Sequence, residues 1–186
     1  MAETTLFRNV RVFDGENEAL SEETDVLVRG STIEGVGPAA DGDTTVDGGG
    51  RVPMPGPIDA HWRSMINSLP AEAFLGAEIG YIDHLAAREA ERTLMRGSTT
   101  VRDAGGPSSG LKRAIDEGIV AGPRIYPCGA MISQSSGHGD FRMPHEVPRT
   151  PMSPLSRVMQ VGAARIADGA EGGSARHPRA TDARRR

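Results

Sequence analysis

From Pro55 to Ala130 the chain alternates strand-forming and helix-forming text, and this order constrains its fold more than any other feature of the 186 residues. Pro55-Gly56-Pro57-Ile58-Asp59-Ala60-His61-Trp62-Arg63 reads as a short strand opened by turn residues. Residues 71–95 contain no proline. Phe74, Leu75, Ile79, Ile82, Leu85, Ala86, Ala90 and Leu94 recur there at the spacings of one apolar helix face, and Gly97 supplies a stop. Ser98 to Arg102 is rich in β-branched residues and predicts a second strand, Ser109 to Ile119 a second helix and Arg124 to Ala130 a third strand. Strands alternating with helices of this length pair in parallel through right-handed crossovers. An incomplete apolar face from Leu155 to Ile166 predicts a further helix over 152–168.

The text before Pro55 has a different rhythm. Leu6 to Phe13, Asp25 to Arg29, Thr32 to Val36 and Thr44 to Val46 each read as short strands, with turn signals at Asp14-Gly15, Gly30-Ser31 and Gly48-Gly49-Gly50. Strands this few and this short need a partner surface. The chain thus divides into residues 1–53, 54–168 and a tail, 169–186, that has no aliphatic side chain larger than alanine. Such a tail buries too little apolar area to offset its ordering entropy and is expected to be disordered.

The central strand carries chemistry as well as topology. In a strand, Asp59, His61 and Arg63 share one face, and polar groups at the C-terminal end of a barrel strand are candidates for a site. The stretch resembles the first metal-binding strand of the amidohydrolase superfamily, whose text runs Pro-Gly-Leu-Ile-Asp-x-His-x-His. Here Pro57 stands for the leucine and Arg63 for the second histidine. Gly97 to Gly106 (GSTTVRDAGG), Gly122-Pro123-Arg124 and Gly137-His138-Gly139-Asp140 extend the similarity to the subgroup that includes imidazolonepropionase and dipeptidases acting on Xaa-Pro and Xaa-Arg bonds.

The resemblance implies an α/β fold. The N-terminal part of a small β-sandwich would be followed by about three β/α units of an incomplete TIM-type barrel, since a complete one takes roughly 250 residues. It implies hydrolysis of a C–N bond in a small amide or dipeptide-like substrate by water activated on a divalent metal, zinc or similar. His61 would be a metal ligand. Arg63 is a permanent cation with no lone pair and cannot be one. Arg102, Asp103, His138 and Asp140 would line the substrate pocket, with loop-fixing or solvated roles as the alternatives. The remaining ligands of the family belong to later strands, so the resemblance also implies an inactive, truncated or frameshifted N-terminal portion. The arginine-rich tail is what an out-of-frame reading of GC-rich coding sequence yields. The alternative is a non-catalytic half that binds a complementing chain, or a homo-oligomer.

Charge narrows the partners further. Residues 157–186 hold seven arginines against Asp168, Glu171 and Asp182, so the body is more acidic than the overall net charge of −4. An acidic body without interleaved aromatics argues against nucleic acid despite Arg184-Arg185-Arg186. No run approaches the roughly 18 apolar residues of a membrane span, and a signal-peptide pattern is absent, which predicts a cytoplasmic protein. Cys128 is the only cysteine, which excludes an internal disulfide, and its neighbours Ile125, Tyr126 and Ala130 predict a buried strand position rather than a nucleophile.

Overall fold

The computed structural model describes residues 2–39, 41–143 and 154–169. The chain divides into two compact units, residues 1–55 and 56–186. The expected tail lies outside the described residues from position 170 on.

In the first unit the predicted alternation becomes β1 (Thr4–Arg11), β2 (Glu23–Arg29), β3 (Thr32–Val36) and β4 (Thr44–Asp47). They form one sheet in the order β3-β2-β1-β4, with β1/β2 and β2/β3 antiparallel and β1/β4 parallel. Leu6, Val10 and Val26 are its buried apolar residues and Thr4 is buried beside them, while β3 and β4 are exposed along their whole lengths. The β1/β2 register shifts between Phe7 and Val10. Asn9 sits in that interval at φ 55, a conformation asparagine tolerates, with its side-chain amide donating to Asp47 Oδ1 at 3.0 Å.

In the second unit β5 (Ile58–Trp62), β6 (Thr100–Asp103) and β7 (Arg124–Pro127) form a parallel sheet in that order. The helices α2 (Ile79–Met95) and α3 (Ser109–Asp116) follow the first two strands. The strands and helices share one core. Val101 and Ile125 pair across the ladder and are buried with Trp62, Phe74, Ala86 and Leu111. The opposite side of the sheet is open, with Ile58 71% and Tyr126 58% exposed. A parallel sheet ordinarily has both faces covered.

Five local expectations differ from the structure. The helix predicted over 71–95 is two helices, α1 (Ala71–Gly76) and α2, because Ala77 and Glu78 are extended. No proline causes the break. Gly76 ends α1, and in the gap Arg157, eighty residues away, donates from Nη2 to the carbonyl of Ala77. On α2 the buried position is Thr93 and not Leu94, because Thr93 Oγ1 accepts the indole N–H of the buried Trp62 at 3.1 Å.

The helix predicted over 152–168 shrinks to α4 (Arg157–Gln160), residues 152–153 being outside the described set. Gly162 at φ 75 turns the chain, and β9 (Ala164–Ile166) then pairs in parallel with β8 (Met131–Ser133). The β8 residues lie beyond the third predicted strand, which ends at Pro127 rather than Ala130. Cys128 is consequently outside β7 and exposed.

Pro57 also behaves differently from a proline inside a central strand. It immediately precedes β5, and its carbonyl accepts the amide of Thr99 at 3.2 Å, so no ladder donor is missing. The glycine before it is required by contact: a Cβ on Gly56 would lie 2.1 Å from Thr99 Cγ2 and 2.7 Å from Thr99 Cβ.

Candidate functional site

The candidate residues of β5 and β6 are organised by a bulge. Asp59 pairs with Val101 and Trp62 with Asp103, so Ala60 and His61 together face the single residue Arg102. A bulge breaks the strict alternation of a strand and re-aims a side chain. Here Trp62 goes into the core and His61 is exposed. Two contacts hold the distortion. The Asp59 carboxylate accepts the backbone N–H of His61 at 2.9 Å, and Arg102 Nη1 donates to the carbonyl of Ala60 at 3.2 Å.

This geometry separates residues that simple alternation would align. Asp59 is occupied by the His61 amide, and among the described residues no ion pair joins it to Arg63. Arg63 lies past the end of β5 and places Nη2 3.2 Å from His61 Nε2. A guanidinium has donors only, so Nε2 accepts and its lone pair is directed at Arg63. Among the described residues the buried Arg63 Nε has no hydrogen-bond partner.

Asp103 is fully buried at the end of β6. Its Oδ2 accepts Ser64 Oγ at 2.5 Å and the Ser64 amide at 3.2 Å, while Oδ1 accepts the Gly105 amide at 3.1 Å. Ser64 is itself fully buried. The carboxylate thus ties the segment after β5 to the turn after β6. No motif announces Ser64; its partner is 39 residues away.

His138 and Asp140 occupy the loop after β8. The His138 side chain is exposed, whereas the Asp140 side chain is 3% exposed. Asp140 accepts Arg142 Nε at 2.8 Å, Arg142 Nη2 at 2.5 Å and the Ser136 amide at 2.7 Å. These donors, Arg142 foremost, hold its carboxyl down at about 2. The loop is tied a second time where Asp168 accepts the Ser135 amide at 2.8 Å and the Ser135 hydroxyl at 2.6 Å.

A carboxylate whose pKa is depressed on folding stabilises the fold above its unfolded value and loses that contribution as pH falls. For Asp140 the window runs from the ordinary 3.8 down to about 2. Native stability should drop by about 2 kcal/mol across it, and Asp140→Asn should remove most of that dependence. Urea midpoints measured between pH 5 and pH 2 for both proteins provide the check; equal slopes would refute the assignment.

A divalent cation needs several converging lone pairs from imidazoles and carboxylates. Among the described residues no group of three or more His, Cys, Asp or Glu side chains could hold a metal ion. The sharper observation is positive: at His61 a fixed cation already takes the ring nitrogen. The residues of this strand end therefore do not fit a metal.

Comparison with known proteins gives these features a context. No protein-family model matches the chain. The ochratoxinase of Aspergillus niger is 41% identical over 59 residues, which is 31% of this chain and 12% of that protein. Its solved structure is 26% identical, with a TM-score of 0.66, covering 92% of this chain and 42% of that one. A prolidase complexed with N-methylphosphonate-L-proline is 33% identical at a TM-score of 0.76, covering 91% of this chain and 42% of that one. The structure of an amidohydrolase is 31% identical at 0.72, covering 89% and 41%. The chain spans about two fifths of the length of the solved structures it matches. Over nearly all of its own length it is built like part of an amidohydrolase, and its structural neighbours are members of that superfamily.

Proposed function

We propose that this chain contributes the opening portion of an amidohydrolase-type hydrolase of C–N bonds, with a small amide or dipeptide-like compound as substrate, and that these 186 residues are not a catalyst by themselves. The neighbours include a prolidase and an ochratoxinase, which supports the hydrolase class. The observation that carries the second half is Arg63, whose guanidinium is directed at His61 Nε2 where the family would place a ligand bond. In this reading β5 to β9 are the first units of a TIM-type barrel and β1 to β4 are part of a β-sandwich. His138 stands at the exposed rim, and the protein works in the cytoplasm; no described helix is long and apolar enough to cross a membrane.

The open sheet face favours one companion reading. With Ile58 and Tyr126 exposed, the sheet calls for a covering polypeptide segment, supplied by a complementing chain or a second copy.

The test is direct. The purified chain is loaded with zinc or manganese, and bound metal is measured together with hydrolysis of a dipeptide panel. We expect neither stoichiometric metal nor turnover; both together would overturn the proposal. Arg63→His, which restores a second imidazole, should raise zinc affinity at least about tenfold, and an unchanged affinity would remove Arg63 as the cause.

A further inference from the structure

We propose that the end of β5 is an oxyanion-binding site, formed by Arg63 and Arg102 about the Ala60–His61 bulge. This rests on the reading above that the strand end does not take a metal.

Three observations carry it. First, both guanidinium groups are anchored on consecutive residues of one strand, Arg102 on the carbonyl of Ala60 and Arg63 on His61 Nε2. Each anchor uses one nitrogen of a five-donor fork and leaves others unspent. Second, neither arginine has a carboxylate within 4.0 Å among the described residues. Arg29, Arg96, Arg113 and Arg142 all do. The nearby Asp59 directs an oxygen at the His61 amide instead. Third, the location is open to solvent on its outer side, although Arg63 itself is half-buried. Arg102 and His61 are exposed, and Tyr126, paired with Arg102 across the ladder, is exposed on the same face of the sheet.

Two positioned guanidinium groups are suited to an anion with two or more oxygens, because parallel N–H donors match carboxylate and phosphate geometry. Replacing a metal-ligand imidazole by Arg63 thus changes the sign of what the strand end attracts, from a cation to an oxyanion. Carboxylate and phosphate share this chemistry, and the two are separated by experiment.

The probes are acetate and inorganic phosphate, titrated separately into the full chain with chloride as the ionic-strength control. The readouts are the NMR signals of the arginine Nε–H groups and the His61 ring. Saturable shifts at Arg63, Arg102 and His61 are expected with at least one oxyanion and not with chloride, and the tighter arm identifies the source. Arg63→Gln and Arg102→Gln should each weaken binding at least about tenfold, and Arg102→Lys, which keeps charge but loses the fork, about fivefold. Unsaturable shifts, equal shifts with chloride, or unchanged affinity in folded variants would overturn the proposal. Should Arg102→Gln fail to fold, Arg102→Lys still decides.

A zinc titration of the same His61 signals keeps the two ideas apart. Stoichiometric perturbation by zinc overturns the reading that the strand end does not take a metal, and the anion site with it, whereas silence toward both zinc and oxyanions sinks only the anion site.

Discussion

Replacing Asp103 by alanine is expected to lower the stability of the second unit by about 3 kcal/mol, the range found when a buried charged partner is removed from several donors at once. The fully buried carboxylate accepts from the Ser64 hydroxyl, the Ser64 amide and the Gly105 amide. Alanine leaves all three donors without an acceptor in a place that water does not reach. Asp103→Asn keeps the shape but presents an NH₂ group to one set of donors, and should cost about 2 kcal/mol. Ser64→Ala removes only the hydroxyl. The double variant Ser64→Ala/Asp103→Ala should therefore cost less than the sum of the singles, a coupling of about 1 kcal/mol or more. Urea unfolding followed through Trp62, the sole tryptophan, measures all four proteins. A loss under about 1 kcal/mol for Asp103→Ala would mean that solvent or another group replaces the carboxylate.

Trp62→Ala should be at least as damaging, at about 3–5 kcal/mol. The indole is 2% exposed, at the centre of the cluster that joins the parallel sheet to its helices, and its N–H is satisfied by Thr93 Oγ1 at 3.1 Å. Trp62→Phe separates the two contributions, since it keeps an aromatic ring but deletes the donor and part of the volume; about 1–2 kcal/mol is expected. Thr93→Val approaches the same bond from the other side and should cost about 1–3 kcal/mol through an unsatisfied indole N–H. Circular dichroism replaces fluorescence as the probe for the Trp62 variants. If Trp62→Ala unfolds at the parent's urea midpoint, β5 is not held by this contact.

The pattern of legible and illegible features follows from the range of the interactions. The strands of the first unit and the apolar stripe of α2 depend on alternation and spacing within a dozen residues, so the text displays them. At the break between α1 and α2 the text does show Gly76, on which α1 ends, but not the contact of Arg157 with Ala77. The choice of Thr93 over Leu94 goes with an indole 31 residues upstream and leaves no local mark. The 152–168 text has helical spacing, but β8 offers β9 a parallel edge, and Gly162 permits the turn toward it. Propensity yields there to tertiary pairing.

At the candidate site the motif identified His61, Arg63, Arg102, Asp103, His138 and Asp140, yet residue type alone could not distribute them. The bulge sends His61 outward, and the Ser64 contact draws Asp103 inward. Asp140 is sequestered by Arg142 two residues on, while His138 in the same short motif stays exposed. On β5 a one-residue change in register decides that His61 meets solvent and Trp62 does not.

The prolines at the margins of the parallel sheet bear on self-association. Pro57 stands immediately before β5, Pro123 immediately before β7, and Pro127 is the last residue of β7. The amides of Arg124 and Cys128 donate to β6, so Pro123 and Pro127 face outward, and a foreign strand approaching β7 meets a ladder that is short and missing donors at its ends. Pro57 pairs toward β6, and on the β5 side it is the bulge at Ala60–His61 that interrupts the edge. Any polypeptide that covers this sheet is thereby steered toward its open face and away from its edges, and the route by which exposed strands nucleate fibrils is correspondingly obstructed.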